Sequence, residues 1–179
     1  MQRRQPSPRP RHAPTDFDAA YYRRFYRDPK TRVADATTTA RLAEFVVAYL
    51  RYLQLPLRST LDLGCGLGHW RDALALEAPR ASYRGVEHSE YLCRELGWIR
   101  GSVVDYSPGR AFDLVVCQGV LQYLDDRAAA AAITNLANVC RGALYLEALT
   151  RRDWRENCDR QTTDGDVHLR PGDWYRRRL

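Results

Sequence analysis

The sequence predicts an α/β protein built on a doubly wound, mostly parallel sheet in the order 3-2-1-4-5. Three observations lead there. Five apolar segments alternate with helical stretches, which implies parallel pairing through right-handed crossovers. The first segment runs straight into Leu63-Gly64-Cys65-Gly66-Leu67-Gly68, three glycines at alternate positions ahead of a helix start. The next two segments end on the carboxylates Glu87 and Asp105, at the sheet edge where open α/β folds bind ligands.

Taken in order, residues 1–15 read as a disordered leader rich in Arg and Pro, without the apolar run of a signal peptide. Residues 16–179 read as a single domain. It opens with a 16–35 cap segment whose Phe17, Tyr21, Tyr22, Phe25 and Tyr26 suggest an aromatic helical stripe ended at Asp28-Pro29. An amphipathic helix over Thr37–Leu53 is expected to bury Leu42, Phe45, Val46, Tyr49, Leu50 and Leu53, and Pro56 ends it. Strand one covers Ser59–Leu63, followed by a helix at Trp70–Glu77. Strand two covers Ser82–Glu87, a helix Glu90–Leu96, strand three Trp98–Val104 and strand four Phe112–Cys117. A helix at Asp126–Cys140 leads to strand five at Ala143–Ala148. A helical stretch at Asp153–Gln161 and a helix start at Trp174 complete a 150–179 segment facing the substrate side.

Charge narrows the partners. The net charge is +6, but Arg3, Arg4, Arg9 and Arg11 lie in the first eleven residues and Arg176, Arg177 and Arg178 in the last four. Setting those seven aside leaves 21 cations against 22 anions. The body therefore lacks the clustered cationic face that nucleic-acid binding requires. Lys30 is the only lysine, which removes most lysine-based covalent catalysis. The five cysteines are an odd count with no Cys-x-x-Cys pair, as in a protein of the reducing cytoplasm. No metal site is expected, because Cys158 and His168 lack the remaining ligands of a tetrahedral set.

The glycine spacing discriminates among nucleotide-binding loops. A dinucleotide loop would place glycine where His69 stands, and no Gly-Lys-Ser/Thr ending exists for a triphosphate. Asp62-x-Gly64-x-Gly66-x-Gly68 instead resembles the first motif of the class I S-adenosylmethionine-dependent methyltransferases. Later segments match that family in the same order over about residues 36–149. They are Ser82–Ser89 with Glu87, Gly101–Tyr106 with Asp105, Ala111–Leu124, and Arg141–Leu149.

The resemblance implies a Rossmann-like sheet, here short of the family's usual last two strands, with a crevice between strands one and four. It implies S-adenosylmethionine as cofactor and S-adenosylhomocysteine as product. Asp62, Gly64, Cys65, Gly66 and Gly68 would face the methionine moiety and Glu87 the ribose, with His88 a further cofactor contact. Asp105 and Tyr106 would face the adenine, and Gln118, Gly119 and Val120 the sulfonium. Tyr22 and Arg32 would cover the cofactor. Asp113 reads instead as a strand anchor.

The implied activity is methyl transfer by in-line displacement to a small-molecule or protein side-chain nucleophile. Such a donor is already activated, so alignment carries much of the rate. His168, Tyr123 and Glu147 are the candidate catalytic groups. The acceptor is expected to be a small molecule rather than nucleic acid or a membrane. An uncovered edge beside strand five would suit a homodimer. Two rival readings stand beside this one: a cofactor-binding module without turnover, and a nucleic-acid enzyme using its arginine tails.

Overall fold

Every residue of β1 (Ser59–Leu63) is buried, as expected for the central strand of a parallel sheet covered on both faces. The computed structural model describes residues 17–33, 35–160 and 162–179; the expected leader lies outside them. β1 pairs in parallel with β2 (Ser82–Glu87) on one side and β4 (Phe112–Gln118) on the other. β3 (Ile99–Arg100) extends the sheet beyond β2, and β5 (Cys140–Glu147) beyond β4. The order is β3-β2-β1-β4-β5, all parallel. The winding reverses between β1 and β4, which opens a crevice at the carboxyl ends of those strands.

Strand alternation sorts the core into two layers. Val115 and Cys117 face one side, where Ala132, Ile133, Leu136 and Val139 of α5 (Asp126–Val139) pack on them with Tyr175. Leu114 and Val116 face the other side, under α2 (Ala36–Tyr52) and α3 (His69–Glu77). Helix starts follow from local capping. Asp35, Ser89 and Asp125 accept from the amides of Thr38, Leu92 and Ala128 and so begin α2, α4 (Glu90–Leu96) and α5.

Asp113 anchors the base of the sheet. Its carboxylate accepts from the Arg58 amide at 2.9 Å, the Ser59 hydroxyl at 3.1 Å and Arg141 Nε at 2.8 Å. The Arg141 guanidinium, then those two further donors, hold its pKa down at about 2 despite burial.

Three expectations need correction. Only Ile99–Arg100 of the third segment forms a strand. Val103 turns inward to the core, while Asn135 Nδ2 donates to the carbonyls of Val103 and Tyr106 at 3.0 and 3.1 Å, occupying groups a longer strand would need. The cap segment is not one helix. It is a short α1 (Ala19–Tyr22) running into a π-helical turn at Arg23–Arg27.

The buried face of α2 is also not the aromatic one. Thr39, Ala43, Val47 and Leu50 face the sheet, while Phe45 and Tyr49 stack on the outside at 65% and 53% exposure. Small and β-branched side chains let α2 lie close against α3, which rings of that size would prevent.

The carboxyl-terminal segment is held by one buried arginine. Arg170 follows α6 (Arg151–Glu156) and precedes α7 (Gly172–Arg176). Its Nε donates to Asp126 at 2.7 Å, and its guanidinium also donates to the carbonyls of Leu121 and Leu124. The His168 amide donates to Gln122 O at 2.7 Å. These bonds draw residues 164–170 against the loop after β4, and hence to the crevice.

Candidate active site

The loop after β1 is shaped by its glycines. Gly64 and Cys65 donate to Val86 O at 2.8 and 3.2 Å, so the chain follows the end of β2 before turning into α3. Gly64 has φ +90°, and a Cβ there would stand 2.3 Å from Val120 Cγ2. Only glycine lets β1 and the turn after β4 approach this closely. Gly66, at φ +51°, differs in kind, since a Cβ there would meet nothing within 4 Å. Its main chain borders open space.

Glu87 closes β2 and is buried. Its Oε2 accepts from Gly66 N at 2.8 Å, and its Oε1 from the amides of His88 and Ser89, both at 2.8 Å. Asp62, buried at the end of β1, accepts from Tyr83 OH at 2.6 Å. Burial pushes its pKa up to about 7, against the hydrogen bond from Tyr83. Trp70 Nε1 donates to Gln118 Oε1 at 2.8 Å, and Gln118 Nε2 donates to Glu147 Oε2 at 3.1 Å. Tyr145 OH completes this row with a 2.7 Å bond to the same Glu147 oxygen.

These groups surround a cavity of about 430 Å³ at the crevice. Of the residues expected at a site, Tyr22, Asp62, Gly64, Cys65, Gly66, Glu87, His88, Gln118, Gly119, Val120, Tyr123 and His168 line it. Five others lie outside the wall. Gly68 caps α3. Arg32 is turned to Asp35 at 3.2 Å. Glu147 sits behind Gln118, holding its amide rather than facing the cavity.

Asp105 is exposed in the turn after β3, and Tyr106 packs against the core. Their place on the wall is taken by Gly101, Ser102 and Val103, because the strand ends early. Sequence reasoning passed over Ser102; the signal was the glycine before it, where a Cβ would stand 2.8 Å from Val86.

The cap segment supplies the remaining wall. Ser89 Oγ donates to Phe17 O at 2.5 Å, tying the cap to the turn after β2. Phe17, Tyr21, Tyr22 and Tyr26 then form an aromatic side facing Tyr123 and His168. Tyr21 OH and Tyr123 OH lie 2.7 Å apart. Burial pushes the Tyr26 phenol up to about 12 and those of Tyr21, Tyr22 and Tyr123 higher still, so all four stay protonated. Burial likewise raises the Cys65 thiol. Among the described residues, no Lys or Arg lines the cavity, whereas Asp62 and Glu87 do. The site is therefore suited to a cationic guest.

Residues 61–142 match the family model of the methyltransferase domain. The matched stretch is a little under half of the chain and runs from β1 to the start of β5 in the Rossmann-like 3-2-1-4-5 parallel sheet. It is 32% identical over 120 residues to a trans-aconitate 2-methyltransferase of Methylobacterium radiotolerans, over 63% of this chain and 42% of that one. The chain thus spans less than half the length of that curated relative.

Among solved structures, the sugar N-methyltransferase KedS8 from Streptoalloteichus is 26% identical, with TM-score 0.52 over 80% of this chain and 57% of its own. The plantazolicin methyltransferase BpumL, solved with a monoazolic desmethylPZN analog and SAH, shares the fold at TM-score 0.65 and 15% identity. That match covers 89% of this chain and 72% of the other.

Proposed function

We propose that the protein is an S-adenosylmethionine-dependent methyltransferase acting on a small molecule. One observation carries the reading: a buried carboxylate, Glu87, is bonded to a glycine-loop amide on the floor of a cavity walled by no cation among the described residues. The residues fit the cofactor. The open side of Gly66 leaves room for a ligand against the main chain, and Glu87 offers acceptor oxygens to ribose hydroxyls. Gly101 and Ser102 would border the adenine. Asp62 and Glu87 together complement a positively charged guest.

When bound, the cofactor supplies a methyl carbon activated by a sulfonium. The chain's own contribution is placement. Trp70 and Glu147 hold the Gln118 amide from opposite sides, and Val120 packs on Gly64, so this part of the wall is fixed by its neighbours and would orient the bound cofactor. Phe17, Tyr21, Tyr22 and Tyr26 of the cap segment wall the same space. The trans-aconitate enzyme among the relatives supports a small-molecule acceptor. Five free cysteines favour a reducing compartment such as the cytoplasm. The outer edge of β5, unpaired among the described residues, is the place for contact with a second copy.

The test is calorimetric titration with S-adenosylhomocysteine. Micromolar binding that S-adenosylmethionine displaces is expected; no binding at saturating ligand rejects the reading.

A further inference from the structure

Opposite the glycine loop, the cavity ends in a chamber of a different character. Its wall is made of Phe17, Tyr21, Tyr26, Tyr123, Leu124 and His168. The Tyr21–Tyr123 hydroxyl pair uses one phenolic hydrogen between its two oxygens, which leaves the second free to donate. Beside the pair lies Asp164, whose charge acts on Tyr21, Tyr26 and Tyr123. Asp164 Oδ1 accepts from the Asp166 amide at 3.0 Å. Its Oδ2 is buried without a hydrogen-bond partner.

A buried carboxylate oxygen left unpaired is costly and calls for an occupant. Aromatic faces, a nearby carboxylate and a wall lacking Lys and Arg among the described residues disfavour an anionic acceptor. They favour an ammonium group.

Resting on the methyltransferase reading above, we propose that the acceptor is a basic amine, received against Tyr123 and deprotonated through it toward Asp164. The amine arrives protonated, and its nitrogen has no lone pair to offer until one proton leaves. That proton passes to Tyr123 Oη as the Tyr123 hydrogen passes to the Asp164 carboxylate, leaving a neutral amine and a carboxylic acid. With S-adenosylmethionine bound, the nitrogen lone pair would form the C–N bond as the methyl's C–S bond broke, its electron pair staying on sulfur. Tyr123 touches the acceptor; Asp164 acts through Tyr123 and is a positioning residue and proton store. The buried phenols, held protonated, cannot do this alone, which is why the carboxylate behind them matters.

The experiment compares benzylamine with benzoate, probes of the same ring and opposite charge, by ligand-observed NMR on the full chain with S-adenosylhomocysteine present. Benzylamine is expected to bind about tenfold tighter than benzoate. Asp164→Asn keeps the Oδ1 bond from Asp166, so the fold should persist. It should weaken benzylamine about fivefold while leaving benzyl alcohol unchanged. Tyr123→Phe is the second variant and should weaken benzylamine likewise. Equal or tighter binding of benzoate, no binding of benzylamine, or an Asp164→Asn protein that holds the amine as well as wild type overturns the proposal. Should S-adenosylhomocysteine itself fail to bind, the cofactor reading falls separately. The two probes titrated into the free protein then decide the acceptor question.

Discussion

Glu87 Oε2 accepts a 2.8 Å hydrogen bond from the Gly66 amide, joining the end of β2 to the loop after β1 across 21 residues of sequence. The bond sets the loop's position before any ligand arrives, and its partner oxygen is fixed by the amides of His88 and Ser89. Glu87→Ala should therefore act on binding beyond any effect on folding. Loss of a charged hydrogen bond corresponds to about 1.5–3 kcal/mol, or at least tenfold in S-adenosylhomocysteine affinity by calorimetry. Unchanged affinity would reject the ribose assignment.

Gly64 and Gly66 are predicted to respond differently to the same change. Gly64→Ala places a methyl against Val120 Cγ2 at positive φ, costing about 2–4 kcal/mol of stability by denaturant unfolding. Gly66→Ala meets no neighbour, so only the backbone term of about 1–2 kcal/mol applies, yet its methyl stands where a ligand would lie. Binding should fall more than stability does. Equal losses of stability in the two variants would show that the open space at Gly66 has been misread.

Asp113 gives a pH dependence with a definite sign. Its folded pKa is held down at about 2, first by Arg141, against the usual 3.8. The unfolded chain thus binds more protons between those values, and stability rises with pH through that window. About 2 kcal/mol present above pH 4 should disappear as pH falls through 2. Urea titrations of wild type and Asp113→Asn should differ at pH 7 and converge toward pH 2. A constant gap would mean that the carboxylate's charge contributes nothing.

Arg170 is predicted to be the clasp of the carboxyl-terminal segment. Arg170→Met leaves the carbonyls of Leu121 and Leu124 without this donor, at a cost of about 2–4 kcal/mol. Hydrogen exchange should quicken over residues 164–170 while β1 and β2 stay protected. Uniform exchange across the chain would argue against a local clasp.

Much of the fold was legible because its signals are local. β1, β2 and α4 fall where apolar runs, glycines and caps put them. Glu87 was legible for the same reason, as a carboxylate ending a strand beside a glycine loop. Asp105 and Ser102 mark where that stops. Both follow the third segment, and only the inward turn of Val103 and the bonds from Asn135 decide which reaches the cavity. Likewise, the α2 pattern pointed to the face carrying Phe45 and Tyr49, and close packing against α3 selected the one carrying Ala43 and Val47.

The sequence by itself determined the alternation of strands and helices, the glycine loop and the acid that faces it, because each is written in neighbouring residues. The tertiary structure alone decided what closes the end of the cavity opposite the glycine loop. Tyr21, Tyr123 and the stretch from Asp164 to Arg170 come from three distant parts of the chain, and what unites them is burial and hydrogen bonding between segments that no local spacing encodes.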